Sequence, residues 1–322
     1  MKEVLEMLRS ARSVALVSHR DPDADTIGAA VALGLALRAL GKRVSYHCAD
    51  PVPEQLRFLA ETERYERNGP SADADLVVAL DFGDAARANL DLPAGLPLVN
   101  IDHHVSNTGM GDARLVDPTS AATGEVVARV IDALGVAWTE EMATAALVAI
   151  MTDTGSFQFP NTDVRALERA ARLRAAGADL QAITYSVFRN KRFEALKLWG
   201  IALARLGREA GGELVWTWLE PGDIAAAGAL DEDASGLVEQ IARSSGMRVA
   251  LFFNARPDGA VKVSCRTSAS APSVDAAALM GRFGGGGHVR AAGAIVPGGL
   301  EAVRAGVLEA ARDALAAARA PA

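Results

Sequence analysis

Three apolar, β-branched runs in the first half of the chain constrain the fold more than any other feature. The runs span residues 13–17, 76–80 and 98–101. Continuous apolar runs of this length are typical of strands that are buried on both faces of a parallel sheet. Each run is followed at once, or after a single residue, by a polar residue, namely His19, Asp81 or Asp102. Because the carboxyl ends of parallel strands form the ligand crevice of an open α/β sheet, we expect these side chains to converge.

Helical patterns separate and follow these strands. A helix is predicted over residues 25–40, with Gly41 as a C-terminal cap signal, and a further strand over 43–48. From residue 123 onward the pattern is helical, so Asp153 is expected at the end of a helix rather than of a strand. The alternation predicts an α/β fold whose N-terminal domain is a doubly wound parallel sheet with helices.

The last third of the chain has a different pattern, and 322 residues exceed the length of a typical single core. Strands are predicted over 213–219, 247–255, 261–266 and 291–296, and helices over 234–244, 274–283 and 300–318. We therefore expect an N-terminal domain over residues 1–190, a connector helix and linker over 191–212, and a smaller C-terminal α+β domain over 213–322. The active site is expected in the cleft between the two domains.

Charge, cysteine content and hydropathy narrow the class of protein. A net charge of −7 and a pI near 5.4 argue against binding of long nucleic acid duplexes through basic patches, whereas a small anionic substrate bound at metal ions is compatible. Cys48 and Cys265 are expected to be two free thiols. The longest apolar stretch, residues 27–37, is shorter than the roughly 20 residues that span a bilayer, and the N-terminus lacks a signal-peptide core. We expect a cytoplasmic protein without membrane association.

The turn after the first strand carries His19, Asp23 and Asp25. A plain alternative is a polar loop in which Asp25 only caps the next helix. Asp73 and Asp75 repeat the same spacing, but they precede their strand, so a solvated turn at the opposite edge of the sheet is expected there.

The segment Asp102-His103-His104 carries two adjacent imidazoles, of which one can ligate a metal while the other faces the substrate. Converging carboxylates repel each other, and one or two divalent cations would neutralise them. One imidazole and several carboxylates per ion favour Mn²⁺ or Mg²⁺. Two ions about 4 Å apart would share a carboxylate, activate a water and neutralise a phosphoryl group, which favours phosphoester or phosphoanhydride hydrolysis. His47 lies in a predicted strand and is interpreted as ordinary packing.

A glycine run at residues 284–287 precedes His288. It matches neither a Walker loop nor a dinucleotide fingerprint. It is either a flexible connector or a place where backbone N–H groups approach an anionic ligand closely. Arg266, at the end of a predicted strand, is either a partner for a phosphate or base or a surface arginine.

These segments resemble the motifs of the DHH phosphoesterase superfamily over nearly the whole chain. The motifs correspond to His19-x-x-x-Asp23-x-Asp25, to Asp81, to Asp102-His103-His104 and to Asp153. The glycine run with His288 resembles the DHH-associated C-terminal domain, which binds substrate. By length and layout the chain resembles the bacterial oligoribonucleases of the NrnA type.

The resemblance implies a site with two metal ions, Mn²⁺ or alternatively Mg²⁺. One ion would be held by His19, Asp23 and Asp81, and the other by Asp25, Asp81, His103 and Asp153. Asp102 would orient the imidazoles, and His104 would be the catalytic residue that contacts the scissile phosphate. Substrate would be bound by Arg266, Gly285, Gly286, Gly287 and His288.

The resemblance also implies an activity. The expected enzyme is a Mn²⁺-dependent phosphodiesterase that hydrolyses short RNA or DNA oligonucleotides to mononucleotides and converts 3′-phosphoadenosine 5′-phosphate to AMP. Two alternatives stay open, namely a cyclic-dinucleotide or linear dinucleotide phosphodiesterase, and a regulatory protein that binds nucleotides without turnover. The sequence leaves open the direction in which an oligonucleotide is degraded. It also leaves open the oligomeric state, for which a homodimer is one possibility.

Overall fold

The computed structural model describes residues 1–269 and 273–319, and it divides the chain into two compact units. The first unit is Met1–Asn190 and the second is Lys191–Ala322. Each unit has a sheet and a hydrophobic core of its own. None of the described helices combines the length and the apolar composition needed to span a bilayer.

The sheet of the first unit has six parallel strands, all within the described residues 13–116. They are β1 (Ser13–Ser18), β2 (Arg43–His47), β3 (Tyr65–Glu66), β4 (Leu76–Leu80), β5 (Leu98–Asp102) and β6 (Ala113–Val116). Their order is β3-β2-β1-β4-β5-β6, which is the order of a doubly wound sheet. The carboxyl ends of β1, β4 and β5 therefore lie side by side, and the predicted fold class is confirmed.

The helices of the first unit pack mainly on one face of this sheet. They are α1 (Lys2–Ser10), α2 (Ala24–Ala39), α3 (Thr123–Leu134), α4 (Glu140–Asp153), α5 (Val164–Ala175) and α6 (Leu180–Ile183). α4 includes Asp153 as its last residue, as expected. The other face is covered by a smaller apolar cluster to which Val17, Val77 and Phe82 belong.

Two glycines let three of these helices pack closely. α2 is buried at every position from residue 24 to 34. A Cβ at Gly28 in α2 would lie 2.4 Å from the carbonyl oxygen of Ala145 in α4. A Cβ at Gly124 in α3 would lie 2.4 Å from the Cβ of Ala149, also in α4. Only glycine permits these contacts, because real Cβ atoms do not approach other atoms so closely.

The second unit contains a mixed sheet. Its described strands are β7 (Gly207–Glu209), β8 (Leu214–Leu219), β9 (Val249–Ala255), β10 (Ala260–Thr267), β11 (Gly286–Gly287) and β12 (Ala291–Pro297). Their order is β11-β12-β10-β9-β8-β7, in which β8 and β9 are parallel and the other neighbours are antiparallel. The helices are α7 (Phe193–Ala204), α8 (Pro221–Ala227), α9 (Leu237–Ile241), α10 (Ala276–Gly281) and α11 (Leu300–Arg319).

The segment 191–212, expected to be a connector helix and linker, lies within the second unit. Leu198 of α7 is fully buried in a cluster that also contains Leu219 and Leu237. β7 follows α7 and pairs with β8, so this segment is an integral part of the second sheet and its core.

Several predicted elements differ in extent. The helix predicted over 234–244 is limited to α9, since Gly236 precedes it with φ of 86°. Within the helical pattern predicted from residue 123 onward, α6 is short and is followed by a π-helical turn at Thr184–Arg189. Both cysteines are free, as expected, and both are buried.

Candidate metal centre

The sheet brings the predicted acidic and histidine residues together at the carboxyl ends of its central strands. His19 follows β1, Asp81 follows β4 and Asp102 ends β5. Asp81 is 2% exposed and lies within 3.7 Å of a ring nitrogen of His19, of His103 and of His104. The strand-end position therefore produces the convergence that the sequence pattern predicts.

The first group of atoms that could hold a metal ion belongs to His19, Asp23 and Asp81, whose donor atoms lie within 4.8 Å of one another. His19 Nε2 is 3.7 Å from Asp23 Oδ1 and 3.5 Å from Asp81 Oδ2. His19 Nδ1 lies 2.8 Å from the carbonyl oxygen of Arg20. A hydrogen bond from Nδ1 to that carbonyl leaves Nε2 as the nitrogen that can ligate.

The second group belongs to Asp25, His103 and Asp153. His103 Nε2 is 3.7 Å from Asp25 Oδ2 and 3.2 Å from Asp153 Oδ2. His103 Nδ1 lies 3.2 Å from the carbonyl oxygen of Ser120, so this ring repeats the arrangement of His19. Asp81 Oδ1 is 3.7 Å from His103 Nε2, while its Oδ2 faces the first group. Asp81 thus lies between the two groups.

The N-terminus of α3 holds two of these carboxylates, a role that sequence reasoning missed. The backbone N–H groups of Thr123 and Gly124 donate to Asp25 at 2.7 Å and 2.8 Å. The hydroxyl of Thr123 donates to Asp81 Oδ1 at 2.8 Å. Carboxylates are favoured at a helix N-terminus, because unpaired N–H groups and the helix dipole lie there. The only signal in the sequence was the polar turn before α3.

Asp81 itself has a φ of 69°, in the left-handed region. Aspartate reaches this region more readily than most residues, yet a non-glycine residue there costs on the order of 1 kcal/mol or more. The backbone turns at the end of β4, so the carboxylate lies where both donor groups can use it.

Asp102 differs from the other carboxylates because it binds the residues beside it. Its Oδ1 accepts from the backbone N–H of His103 at 2.7 Å, and it lies 2.8 Å from Nδ1 of His104. The resemblance implied that Asp102 orients both imidazoles, but it contacts only the ring of His104 in this way, whereas Ser120 holds the ring of His103. The two rings are inclined to each other by 69°.

The charges of the site favour a bound cation. Burial, together with the charges of Asp81, Asp153 and Asp23, raises the pKa of Asp25 well above its usual range. Burial alone would lower the pKa of His19, but its contacts with Asp23 and Asp81 raise it to about 10. Negative charge is therefore in excess. A divalent cation would relieve it and would displace the proton of His19, and the oxygen-rich donor set with one imidazole per group fits such an ion.

The predicted substrate-binding residues belong to the second unit. Gly286 and Gly287 form β11, which pairs with β12, so this part of the run is an ordered strand. A Cβ at Gly285 would lie 2.1 Å from the carbonyl oxygen of Gly293. Arg266 is partly exposed, and its Nη2 lies 2.5 Å from Glu239 Oε1.

His47, which belongs to the first unit, was interpreted as an ordinary packed residue. Its Nδ1 lies 3.0 Å from the carbonyl oxygen of Asn68, as this interpretation predicts.

Comparison with known families identifies the class to which this fold and site belong. Residues 13–150 match the model of the DHH family, N-terminal domain, and residues 223–319 match the model of the DHHA1 domain. The chain therefore belongs to the DHH family of metal-dependent phosphoesterases, and the resemblance seen in its motifs is confirmed.

Comparison with individual proteins gives more specific similarities than the family models. The chain is 40% identical to the bifunctional oligoribonuclease and PAP phosphatase NrnA of Thermus thermophilus, over 98% of this chain and 94% of the relative. The cyclic-di-AMP phosphodiesterase PdeA of Listeria monocytogenes is 26% identical, over 88% of this chain and 45% of the relative. An exopolyphosphatase-related protein from Bacteroides fragilis has the same fold, with a TM-score of 0.87 at 21% identity, over 98% of this chain and 94% of that structure.

Proposed function

We propose that this protein is a Mn²⁺-dependent phosphoesterase that hydrolyses short oligonucleotides to mononucleotides and converts 3′-phosphoadenosine 5′-phosphate to AMP. The observation that carries the proposal is the pair of donor groups on either side of Asp81. The choice of substrate is supported by 40% identity to a relative named for both activities.

The donor groups suggest how two ions would be held. His19, Asp23 and Asp81 would hold one, and Asp25, His103 and Asp153 would hold the other together with Asp81. Bound ions of this kind lower the pKa of a water and neutralise charge on a phosphoryl group. The donor chemistry favours Mn²⁺, with Mg²⁺ as the alternative.

His104 is proposed to contact the scissile phosphate. Burial alone would lower its pKa, but the contact with Asp102 and the charges of nearby carboxylates raise it above the usual value. The carboxylate of Asp102 beside Nδ1 thus favours the protonated form of the imidazole. His104 can thus donate a hydrogen bond to a phosphate oxygen whose negative charge increases in the transition state.

Arg266, Gly285, Gly286, Gly287 and His288 are proposed to bind the nucleotide. Arginine suits this role because its guanidinium group matches the geometry of a phosphate. Close packing at Gly285 and the paired strand at Gly286–Gly287 support a preformed segment with little flexibility to lose on binding.

The test is hydrolysis by the full chain with Mn²⁺ or Mg²⁺, assayed with a diribonucleotide, 3′-phosphoadenosine 5′-phosphate and cyclic di-AMP. We expect turnover of the first two, with Mn²⁺ more effective than Mg²⁺. Asp81→Asn is the control, because it preserves the shape of the side chain but removes the negative charge that both ions would share. We expect this variant to lose turnover while its circular dichroism spectrum stays that of the folded wild type. Tight nucleotide binding without turnover in either metal would contradict the proposal and favour a regulatory protein, and preference for cyclic di-AMP would favour the cyclic-dinucleotide phosphodiesterase.

A further inference from the structure

We propose that Asn107 is a positioning residue for the proposed hydrolysis, acting on His104 through Asp102. Asn107 Nδ2 lies 2.5 Å from Asp102 Oδ2 and 2.8 Å from Asn100 Oδ1. An amide nitrogen carries two hydrogen atoms, and these two acceptors account for both. The inference rests on the proposed function, because it assigns to Asn107 an effect on the same reaction.

The two oxygens of Asp102 have separate partners. Oδ1 faces His104, at 2.8 Å from the ring Nδ1 and 3.1 Å from the backbone nitrogen. Oδ2 is the atom that Asn107 contacts. A carboxylate held at both oxygens cannot rotate about its Cβ–Cγ bond, so the direction in which Oδ1 meets the imidazole is fixed. Loss of the Asn107 amide would leave the carboxylate held through Oδ1, so it could tilt about that oxygen and change the direction in which it meets the ring of His104.

Asn107 is held in turn by its surroundings. Its Oδ1 accepts from the backbone N–H of Gly109 at 2.8 Å. Asn100, fully buried in β5, donates from Nδ2 to the carbonyl oxygen of Phe82 at 2.8 Å. A Cβ at Gly83 would lie 2.3 Å from Cγ of Asn107, so the absence of a side chain there makes room for the amide. A continuous chain of hydrogen bonds thus links the segment after β4 to His104.

A purely structural role for Asn107 predicts a different outcome from a positioning role. Thr108 is the matched control, because it lies in the same loop and its hydroxyl donates to the carbonyl oxygen of Gly83 rather than to Asp102. If Asn107 only stabilises the loop, Asn107→Ala and Thr108→Val should affect the enzyme alike. If Asn107 positions His104, only Asn107→Ala should reduce kcat.

The experiment is a double-mutant cycle with Asn107→Ala, His104→Ala and the double variant, assayed with Mn²⁺ and a diribonucleotide. We expect Asn107→Ala to lower kcat about 10- to 100-fold with KM and Mn²⁺ affinity close to wild type, as loss of outer hydrogen-bond partners commonly does. In the His104→Ala background the same change should cost less than about twofold, because the residue through which it acts is gone. Thr108→Val should keep kcat within about twofold of wild type.

The result that overturns the inference is a kcat of Asn107→Ala within twofold of wild type, or an equal loss in both backgrounds. If the wild-type protein hydrolyses none of the substrates, the proposed function fails, and ¹⁵N NMR of the His104 imidazole then tests positioning by itself. We expect the Nδ1 signal of a hydrogen-bonded ring in the wild type and in Thr108→Val, and a shifted or broadened signal in Asn107→Ala. An unchanged signal in Asn107→Ala would contradict the inference.

Discussion

Individual residues of the DHH triplet are neighbours in sequence, yet they have different partners. His103 has its Nδ1 on the backbone carbonyl of Ser120, and its Nε2 faces Asp25, Asp81 and Asp153. His104 has its Nδ1 on the carboxylate of Asp102. The first arrangement leaves Nε2 of the ring facing carboxylates with which it can share a metal, and the second places a carboxylate against Nδ1 of the ring.

The difference predicts opposite effects of two alanine substitutions. His103→Ala should lower metal content, because it removes a donor from the second group. His104→Ala should leave metal content unchanged and lower kcat by about 10²–10³, the usual effect of losing one donor to a developing oxyanion. The measurements are metal content by atomic emission and kcat at saturating Mn²⁺. Equal loss of metal from both variants would show that the proposed division of roles is wrong.

Single elements also determine the geometry of the site, and α3 is the clearest example. Its first residues bind Asp25 through backbone N–H groups and Asp81 through the Thr123 hydroxyl. The carboxylates of Asp25 in α2 and of Asp81 after β4, both proposed metal ligands, are thereby held by one helix N-terminus. Displacement of that N-terminus would disturb both donor groups.

We predict that Thr123→Val lowers activity about tenfold or more and weakens Mn²⁺ binding, since Asp81 loses a hydrogen bond that orients it. Thr123→Ser is the matched control, because it retains the hydroxyl and should restore most of the activity. The checks are kcat and a Mn²⁺ titration of each variant. Equal activity of the valine and serine variants would mean that the hydroxyl has no orienting role.

The ion pair between α9 and β10 leads to a second prediction about single elements. Glu239 neutralises Arg266, the residue proposed to bind substrate. If a phosphate competes with Glu239 for this guanidinium group, Glu239→Gln should lower KM up to about fivefold, the range of an exposed ion pair, with kcat unchanged. Glu209→Gln, which breaks the ion pair with Arg312 in the same unit, is the control. A KM unaffected by Glu239→Gln and by Arg266→Ala would remove Arg266 from the binding site.

Elements with a strong local pattern could be predicted from the sequence, and those defined by distant partners could not. β1, β4 and β5 are continuous apolar runs, so both the strands and the acidic or histidine residues at their ends were predictable. β6 is short, carries Arg114 and lies at the sheet edge, and β11 consists of two glycines. Both exist because a neighbouring strand offers hydrogen bonds.

In the candidate site, too, residues with a local sequence pattern could be predicted, and residues defined by distant partners could not. The candidate metal-binding residues share a position at the ends of strands or helices, which a sequence pattern can indicate. Thr123, Asn100 and Asn107 act through hydrogen bonds to residues whose proximity only the folded chain determines. No spacing in the sequence marked them.

The whole molecule is acidic, and this bears on the length of its substrate. With a net charge of −7 and 5% aromatic residues, the chain has few means of holding a long strand by phosphate contacts or base stacking. Binding energy must come from a few contacts near the scissile phosphate, which favours a short substrate.

We predict that kcat/KM is at least about tenfold higher for oligonucleotides of two to five residues, the range implied by the family resemblance, than for a long single strand. The measurement compares RNAs of increasing length at several salt concentrations. A shallow salt dependence is expected, because few phosphates are contacted. Equal efficiency on a dinucleotide and a long strand, or a steep salt dependence, would contradict this prediction.

Gly28 bears on which ion a metal centre at this site could accept. The donor oxygens of Asp25 and Asp153 belong to different helices, so their spacing depends on how deeply α2 and α4 interlock. Oxygen ligands lie about 2.0–2.1 Å from Mg²⁺ and about 2.3–2.6 Å from Ca²⁺, a difference of a few tenths of an ångström. A methyl group at position 28, only 2.4 Å from the carbonyl oxygen of Ala145, would force the helices apart by at least as much. We therefore expect a side chain at position 28 to change the spacing of the Asp25 and Asp153 carboxylates, and with it the ion that they could hold, although neither ligand would have changed.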